Sequence, residues 1–208
     1  MNNNKYIFSH CRVTKNVVYK NGQKIFDKPN ANPQDFLFST FEYFNLNYSK
    51  FYKMDSLSKL GWLASEILLA GENIIKDVKP RDIGIVLSNA KSSLDMDIKY
   101  LHSVQEFASP ALFVYTLPNI VIGEVCISND IKGENAFFIF EDFNAAFTEQ
   151  YVSHLLDNNI LQLCICGWVE FLRDNYKAVL FLAGKNDGAN DKLFSRETMD
   201  SIFNNQAL

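Results

Sequence analysis

The sequence predicts an α/β protein in which a mixed, mostly parallel sheet is covered by helices, and three observations carry that reading. Apolar runs of strand length at residues 83–88, 136–140, 161–169 and 178–183 are separated by longer segments of helical period. Strand and helix alternate along the chain, the pattern of a parallel sheet with crossover helices. A length of 208 residues with 48% apolar side chains supports one sizeable core. One domain is therefore expected over residues 1–208.

The elements follow in order. Residues 6–10 and 17–19 have extended character, and Lys20-Asn21-Gly22-Gln23 marks a hairpin, because Asn-Gly tolerates the positive φ of a type I′ turn. Residues 29–52 show no clean period; Pro29 and Pro33 interrupt them while Phe36, Phe38, Phe41, Phe44 and Phe51 offer apolar contacts, so an irregular packed stretch is expected. Asp55 or Ser56 can cap a helix whose Leu57, Leu60, Gly61, Ala64, Ile67 and Leu68 recur at helical spacing up to Gly71. After the strand at 83–88, a polar helix is expected over about 93–106, broken by Ser109-Pro110. A further helix starts near Pro118 or Asn119 and reaches Ile127, and another spans 144–156. The tail after Gly184 reads as loop-like decoration, with a short helix at about 196–203.

Composition excludes several functions. Net charge is −4 with 21% charged residues, so nothing supplies the basic excess that holds nucleic acid. No run approaches the twenty or so apolar residues of a membrane span, and the first residues lack a signal-peptide pattern, so a cytoplasmic protein is expected. Cys11, Cys126, Cys164 and Cys166 read as reduced core thiols; Cys164 and Cys166 alternate on one strand face without the further ligands a metal would need.

Four segments, in order, resemble the β-ketoacyl synthases of the thiolase-like superfamily. They are Lys53-Met54-Asp55-Ser56 before the small-residue helix; the 83–88 strand, followed by Asn89-Ala90-Lys91 in place of a glycine-rich turn; Ser109-Pro110 through Pro118-Asn119 to Gly123 and Val125; and Lys132-Gly133-Glu134-Asn135 onward to Cys166-Gly167. The resemblance covers roughly residues 53–183 and implies the N-terminal half of a thiolase-like fold. In that family a cysteine at the start of a buried helix is acylated, since a thiolate is a strong nucleophile and a helix N-terminus lowers its pKa. Counting nine residues from Gly133, and back from Gly167 by the family's spacing, places that position at Asp142; Cys126 lies sixteen residues before it and Cys164 twenty-two after. The family's catalytic histidines belong to a second half absent here, and His10, His102 and His154 match none of its motifs.

The resemblance therefore implies a catalytically degenerate accessory subunit without catalytic residues, metal or cofactor. Short proteins resembling only this half accompany bacterial aryl-polyene pathways, and chain-length factors are inactive partners of working ketosynthases. A homodimer or a ketosynthase-like partner is implied, with an acyl carrier protein as a further candidate. Asp142 is open to two readings, an N-cap or a general base standing in for the thiolate, and Glu141 beside it could share a proton with it. Asn119 and Gly123 are binding or interface candidates by resemblance, while a plain helix start and a close helix contact explain them equally well. Lys76, Lys79 and Arg81 could meet an acidic carrier or form a solvated surface. Two other functions stay open: thioester chemistry through Asp142 or Glu141, and a carrier-protein or acyl-group binding module. A lone half should leave an apolar helix face to a partner, with Leu60, Gly61 and Ala64, or Ala145, Ala146 and Phe147, as contributors. Otherwise residues 29–52 and the tail fold over that face.

Overall fold

The computed structural model describes residues 4–185 and 192–204. Strand β1 (Tyr6–Thr14) leads through β2 (Val17–Lys20) and β3 (Gln23–Asp27) to α1 (Pro33–Tyr43) and α2 (Ser56–Leu69). Strand β4 (Ile83–Asn89) follows, then a crossover of α3 (Leu94–Val104), α4 (Pro110–Val114) and α5 (Ile120–Asn129) to β5 (Asn135–Ile139). Helix α6 (Ala145–Asp157), β6 (Leu163–Leu172), β7 (Asn175–Gly184), β8 (Lys192–Leu193) and α7 (Arg196–Asn204) complete the order.

The sheet runs β3-β2-β1-β7-β6-β4-β5, with β8 beside β1. It is mixed, but its parallel pairs are confined to β5-β4-β6; the remaining pairs are antiparallel. Short connections explain this, because the Lys15-Asn16, Asn21-Gly22 and Arg173-Asp174 turns can only join antiparallel neighbours. Asn21 and Gly22 take φ of 50° and 83°, the left-handed pair expected of the Asn-Gly turn.

Each face has its own core. On one, α2 and α5 pack over β1, β4, β6 and β7 through Leu60, Leu63, Val121, Val125, Ile165 and Leu180. Helix α2 starts at Asp55, whose carboxylate accepts from the Ser58 and Leu57 amides, and buries twelve of its fourteen residues. A Cβ on Gly61 would stand 2.3 Å from Val121 Cγ2, so this glycine lets α2 and α5 approach. On the other face α6 and α7 cover Val86, Cys164, Cys166, Val179 and Phe181. Gly167 in β6 holds φ 143° with its Cα against the Val179 carbonyl, a position where a Cβ would sit 2.1 Å from that oxygen.

Residues 29–52 are not irregular. Asn32 caps α1 by accepting from the Asp35 amide, and Pro33 occupies the first turn, where proline starts a helix instead of breaking one. Phe41 then stacks on Phe51, with ring centroids 4.3 Å apart, and both pack on Trp62. This stretch covers one side of α2 and α5 packs at Gly61, so Leu60, Gly61 and Ala64 are buried and do not form an uncovered face. On the opposite face α7 packs beside α6 through Met199 and Ile202, and Ala145 is buried while Ala146 is exposed.

Exposed apolar side chains concentrate elsewhere. Of the thirteen large ones among the described residues, nine lie between Leu94 and Ile139, among them Leu101, Phe107 and Phe113. No helix among the described residues is long and apolar enough to cross a membrane.

Candidate functional site

The topology singles out one place before any side chain is considered. From β4 the chain crosses to β5 over the face that carries α5; from β5 it crosses back over β4 to β6 through α6 on the opposite face. The loops after β4 and β5 thus part to opposite sides at the carboxyl ends of adjacent parallel strands, the switch point where open α/β sheets form a crevice.

Both loops are fixed by hydrogen bonds. Asn89, fully buried, accepts from the Ser92 amide at 2.9 Å and donates to the Ser92 carbonyl at 2.9 Å, holding Ser92 at φ 51°. The Ala90 amide donates to Glu170 Oε2 at 2.8 Å, and the Ser93 hydroxyl donates to the Thr116 carbonyl at 2.5 Å. The Phe140 amide donates to the Asn89 carbonyl at 3.0 Å, joining one loop to the other.

A cleft of about 660 Å³ opens at the second loop, lined by residues 140–146 together with Arg196 and Asp200. Glu141 and Asp142 are both exposed in it, in the junction between β5 and α6. The helix cap is not Asp142 but Asn144, whose side chain accepts from the Phe147 amide at 2.9 Å. The chain needs two further residues after Asp142 before helical geometry begins, and the closer polar side chain takes the amide. Among the described residues no hydrogen bond joins Glu141 to Asp142.

Helix α7 supplies what the sequence did not assign to the cleft. Arg196 pairs with Asp200 at 3.5 Å, and its amide donates to Glu149 Oε2 at 2.8 Å. Phe203 stacks on Phe143 with centroids 4.7 Å apart, and Phe143 in turn lies beside Phe181 and Trp168. The Lys177 ammonium lies 3.3 Å from the Phe203 ring centroid and donates to its carbonyl at 2.9 Å; burial first, then the Arg12 charge, lowers its pKa to about 8. The spacing of Met199, Ile202 and Phe203 is the helical signal that points α7 inward.

The other candidates lie apart from this cleft. Asn119 is exposed at the α5 N-cap position without a side-chain capping bond. Gly123 sits mid-helix, and a Cβ there would meet nothing within 4 Å, so no close contact inside this chain explains it. Lys76, Lys79 and Arg81 precede β4 and stand at the amino end of the strand whose carboxyl end faces the cleft, roughly 20 Å away along seven residues. Burial holds the His10 pKa down at about 4, aided by Lys192 and Arg12, while His102 and His154 are exposed on α3 and α6. None of the three lines the cleft. Cys164 and Cys166 are fully buried; burial, followed by the neighbouring Cys164, pushes the Cys166 thiol well above its ordinary pKa. Among the described residues no His, Cys, Asp and Glu cluster could hold a metal.

No family model matches the sequence, and no curated protein matches it. Solved structures do. The ishigamide ketosynthase/chain length factor superposes with a TM-score of 0.66 at 15% identity, over 91% of this chain and 64% of that one. A ketosynthase in complex with its chain length factor from Xenorhabdus doucetiae gives 0.57 at 12% identity, over 89% and 80%. A β-ketoacyl synthase from Burkholderia phymatum gives 0.58 at 13% identity, over 88% and 59%. The chain has the ketosynthase-like, thiolase-type α/β fold, and it spans less than two thirds of the length of the first and third of these structures.

Proposed function

We propose that this chain is a catalytically degenerate β-ketoacyl-[acyl-carrier-protein] synthase-like accessory subunit, acting in the cytoplasm beside a ketosynthase-like partner in bacterial fatty acid or polyketide biosynthesis of the aryl-polyene type. One observation carries the reading. At the switch point, the position that the resemblance gives to the nucleophile carries an exposed Asp142, and among the described residues no cysteine and no histidine lines its cleft. A thiolate forms an acyl-thioester readily and a solvated carboxylate does not, so the position has lost the acylation step.

The neighbours support the assembly half of the reading, for one is a ketosynthase bound to its chain length factor. Another structure of this fold has an acyl-carrier protein in complex with its ketosynthase. The concentration of exposed apolar side chains between Leu94 and Ile139 supports it independently, since a monomer rarely leaves such surface to water. Asn119 and Gly123 belong to the helix that ends this crossover, and the open space over Gly123 suits the close approach of a second chain. The basic cluster around Arg81 faces the other end of the sheet, so a carrier protein would reach Asp142 without passing it.

Co-purification from native cells, with mass spectrometry of whatever accompanies the chain, tests the proposal. A ketosynthase-like chain in stoichiometric amount is expected. Recovery of a carrier protein without any ketosynthase would favour a carrier-binding module instead.

A further inference from the structure

We propose that Arg12, Lys177 and Lys192 form a binding site for a dianionic phosphate group, on the sheet face that also carries α6 and α7. The proposal does not depend on the reading of Asp142.

Alternation along β1 sets the site. Cys11 and Val13 point into the core under α2, so His10 and Arg12 are turned to the opposite face. There Arg12 stands opposite Tyr19 of β2 and Val179 of β7, and Lys177 lies one step along β7 on the same face, opposite Thr14. Lys192 reaches the same region from β8, where it pairs with Ile7.

Arg12 and His10 are each only 8% exposed, and among the described residues neither side chain has a hydrogen-bond or ion-pair partner. No side-chain nitrogen among the described residues that is shut off from the surface lacks a partner, so the donors of these two side chains open onto solvent. The Arg12 guanidinium rests over the Tyr19 ring, 4.2 Å from its centroid. The ring attracts the cation without supplying a lone-pair acceptor, so the in-plane N–H donors remain for another group.

Charge makes the same demand. The chain carries a net charge of −4, yet no carboxylate among the described residues offsets this cluster. Glu170 is opposite Lys177 across the β6–β7 ladder, but its Oε2 accepts from the Ala90 amide and it forms no ion pair with Lys177. On α7 Asp200 pairs with Arg196, and on β3 Asp27 pairs with Lys24. Burial, then Lys192 and Arg12, holds the His10 pKa down at about 4; burial, then Arg12, lowers that of Lys177 to about 8. Desolvated cations beside one another and without counter-charge are costly.

Helix capping accounts for Lys177, whose ammonium donates to the Phe203 carbonyl near the end of α7, and leaves Arg12 unexplained. A phosphate group accounts for both. Two of its oxygens suit the guanidinium fork, and the third remains for the ammonium groups. A carboxylate brings a single charge and two oxygens, too few for three cations.

Sulfate is the first probe, because it has the shape and charge of the phosphate dianion and does not titrate over the working range. Added to the full chain at neutral pH and followed by calorimetry, it should bind with a Kd of about 1 mM or tighter, and inorganic phosphate should do the same. The His10 pKa, read from the imidazole resonance that His10→Gln removes, should rise from about 4 by about one unit or more. A bound anion favours the protonated ammonium, so sulfate affinity should be full below the Lys177 pKa and fall as pH rises through about 8. Arg12→Gln should weaken binding at least about tenfold with the circular dichroism unchanged. Lys177→Met, which keeps an apolar stem under Phe203, should weaken it at least about threefold and decides the matter if Arg12→Gln does not fold. Lys132→Gln, at an exposed pair with Asp130, should leave binding unaltered.

Methyl phosphate bound as tightly as inorganic phosphate makes the ligand an ester, and methyl phosphate bound at least about tenfold more weakly makes it free phosphate; either supports the site. No binding at about 50 mM sulfate, Arg12→Gln or a folded Lys177→Met binding like wild type, or an affinity that does not change as pH crosses 8 overturns the proposal. Acetate bound as tightly as sulfate overturns the phosphate class.

Discussion

Helix α2 buries twelve of its fourteen residues, whereas α3 buries only Met96 of its eleven and α4 buries none. Both regions are crossovers between strands on one sheet, and both are rich in apolar side chains. In α2 those side chains meet α1, α5 and the strands β1, β6 and β7; in α3 and α4 and the turn between them, Leu101, Phe107 and Phe113 meet water. Apolar content therefore does not say what a helix is for. A stripe that is buried in its own chain folds that chain, and a stripe left outside is available to another. The two glycines of the α2 and α5 layer repeat the contrast, because Gly61 is jammed against Val121 and Gly123 faces open space.

Substitutions can break or sharpen this contrast. The largest expected effect is at Leu60, fully buried, where Leu60→Ala should cost about 2–5 kcal/mol in urea unfolding of the isolated chain. Gly61→Ala should cost about 1–3 kcal/mol, because Val121 cannot move away from the new methyl group without repacking the core. Gly123→Ala should have the opposite sign and stabilise the isolated chain by up to about 1 kcal/mol through helix propensity, while weakening association with any partner that fits over it. Phe107→Ala, 78% exposed, should stay within about 0.5 kcal/mol of wild type. A cost above about 1 kcal/mol at Phe107 in a demonstrably monomeric sample would show that the crossover is folded into its own chain after all.

Much of the framework was legible in the residues. The strands at β4, β6 and β7 and the helices α2 and α6 fall where period and caps place them, since each is long enough for its pattern to exceed local noise. Helix α1 was not legible, because Pro33 followed by crowded phenylalanines resembles a break until Asn32 is seen to cap it. The extent of parallel pairing depended on which strands become neighbours, and alternation along the chain does not state that. At the site, counting placed Asp142 in the strand-to-helix junction, where the structure has it; of the two readings of its side chain the N-cap is not met, since Asn144 holds the helix and Asp142 is left to solvent. The contribution of Arg196, Asp200 and Phe203 was hidden for a different reason. More than fifty residues separate α7 from the junction it lines, and only tertiary packing brings them together.

The central claim is that Asp142 occupies a nucleophile's place without doing a nucleophile's chemistry. The most direct measurement is condensation of malonyl and acyl thioesters by the purified chain, the wild type compared with Asp142→Ala. The account predicts no turnover from either protein, and no acyl adduct in the intact mass of the wild type. Turnover by the wild type that disappears in Asp142→Ala would contradict it.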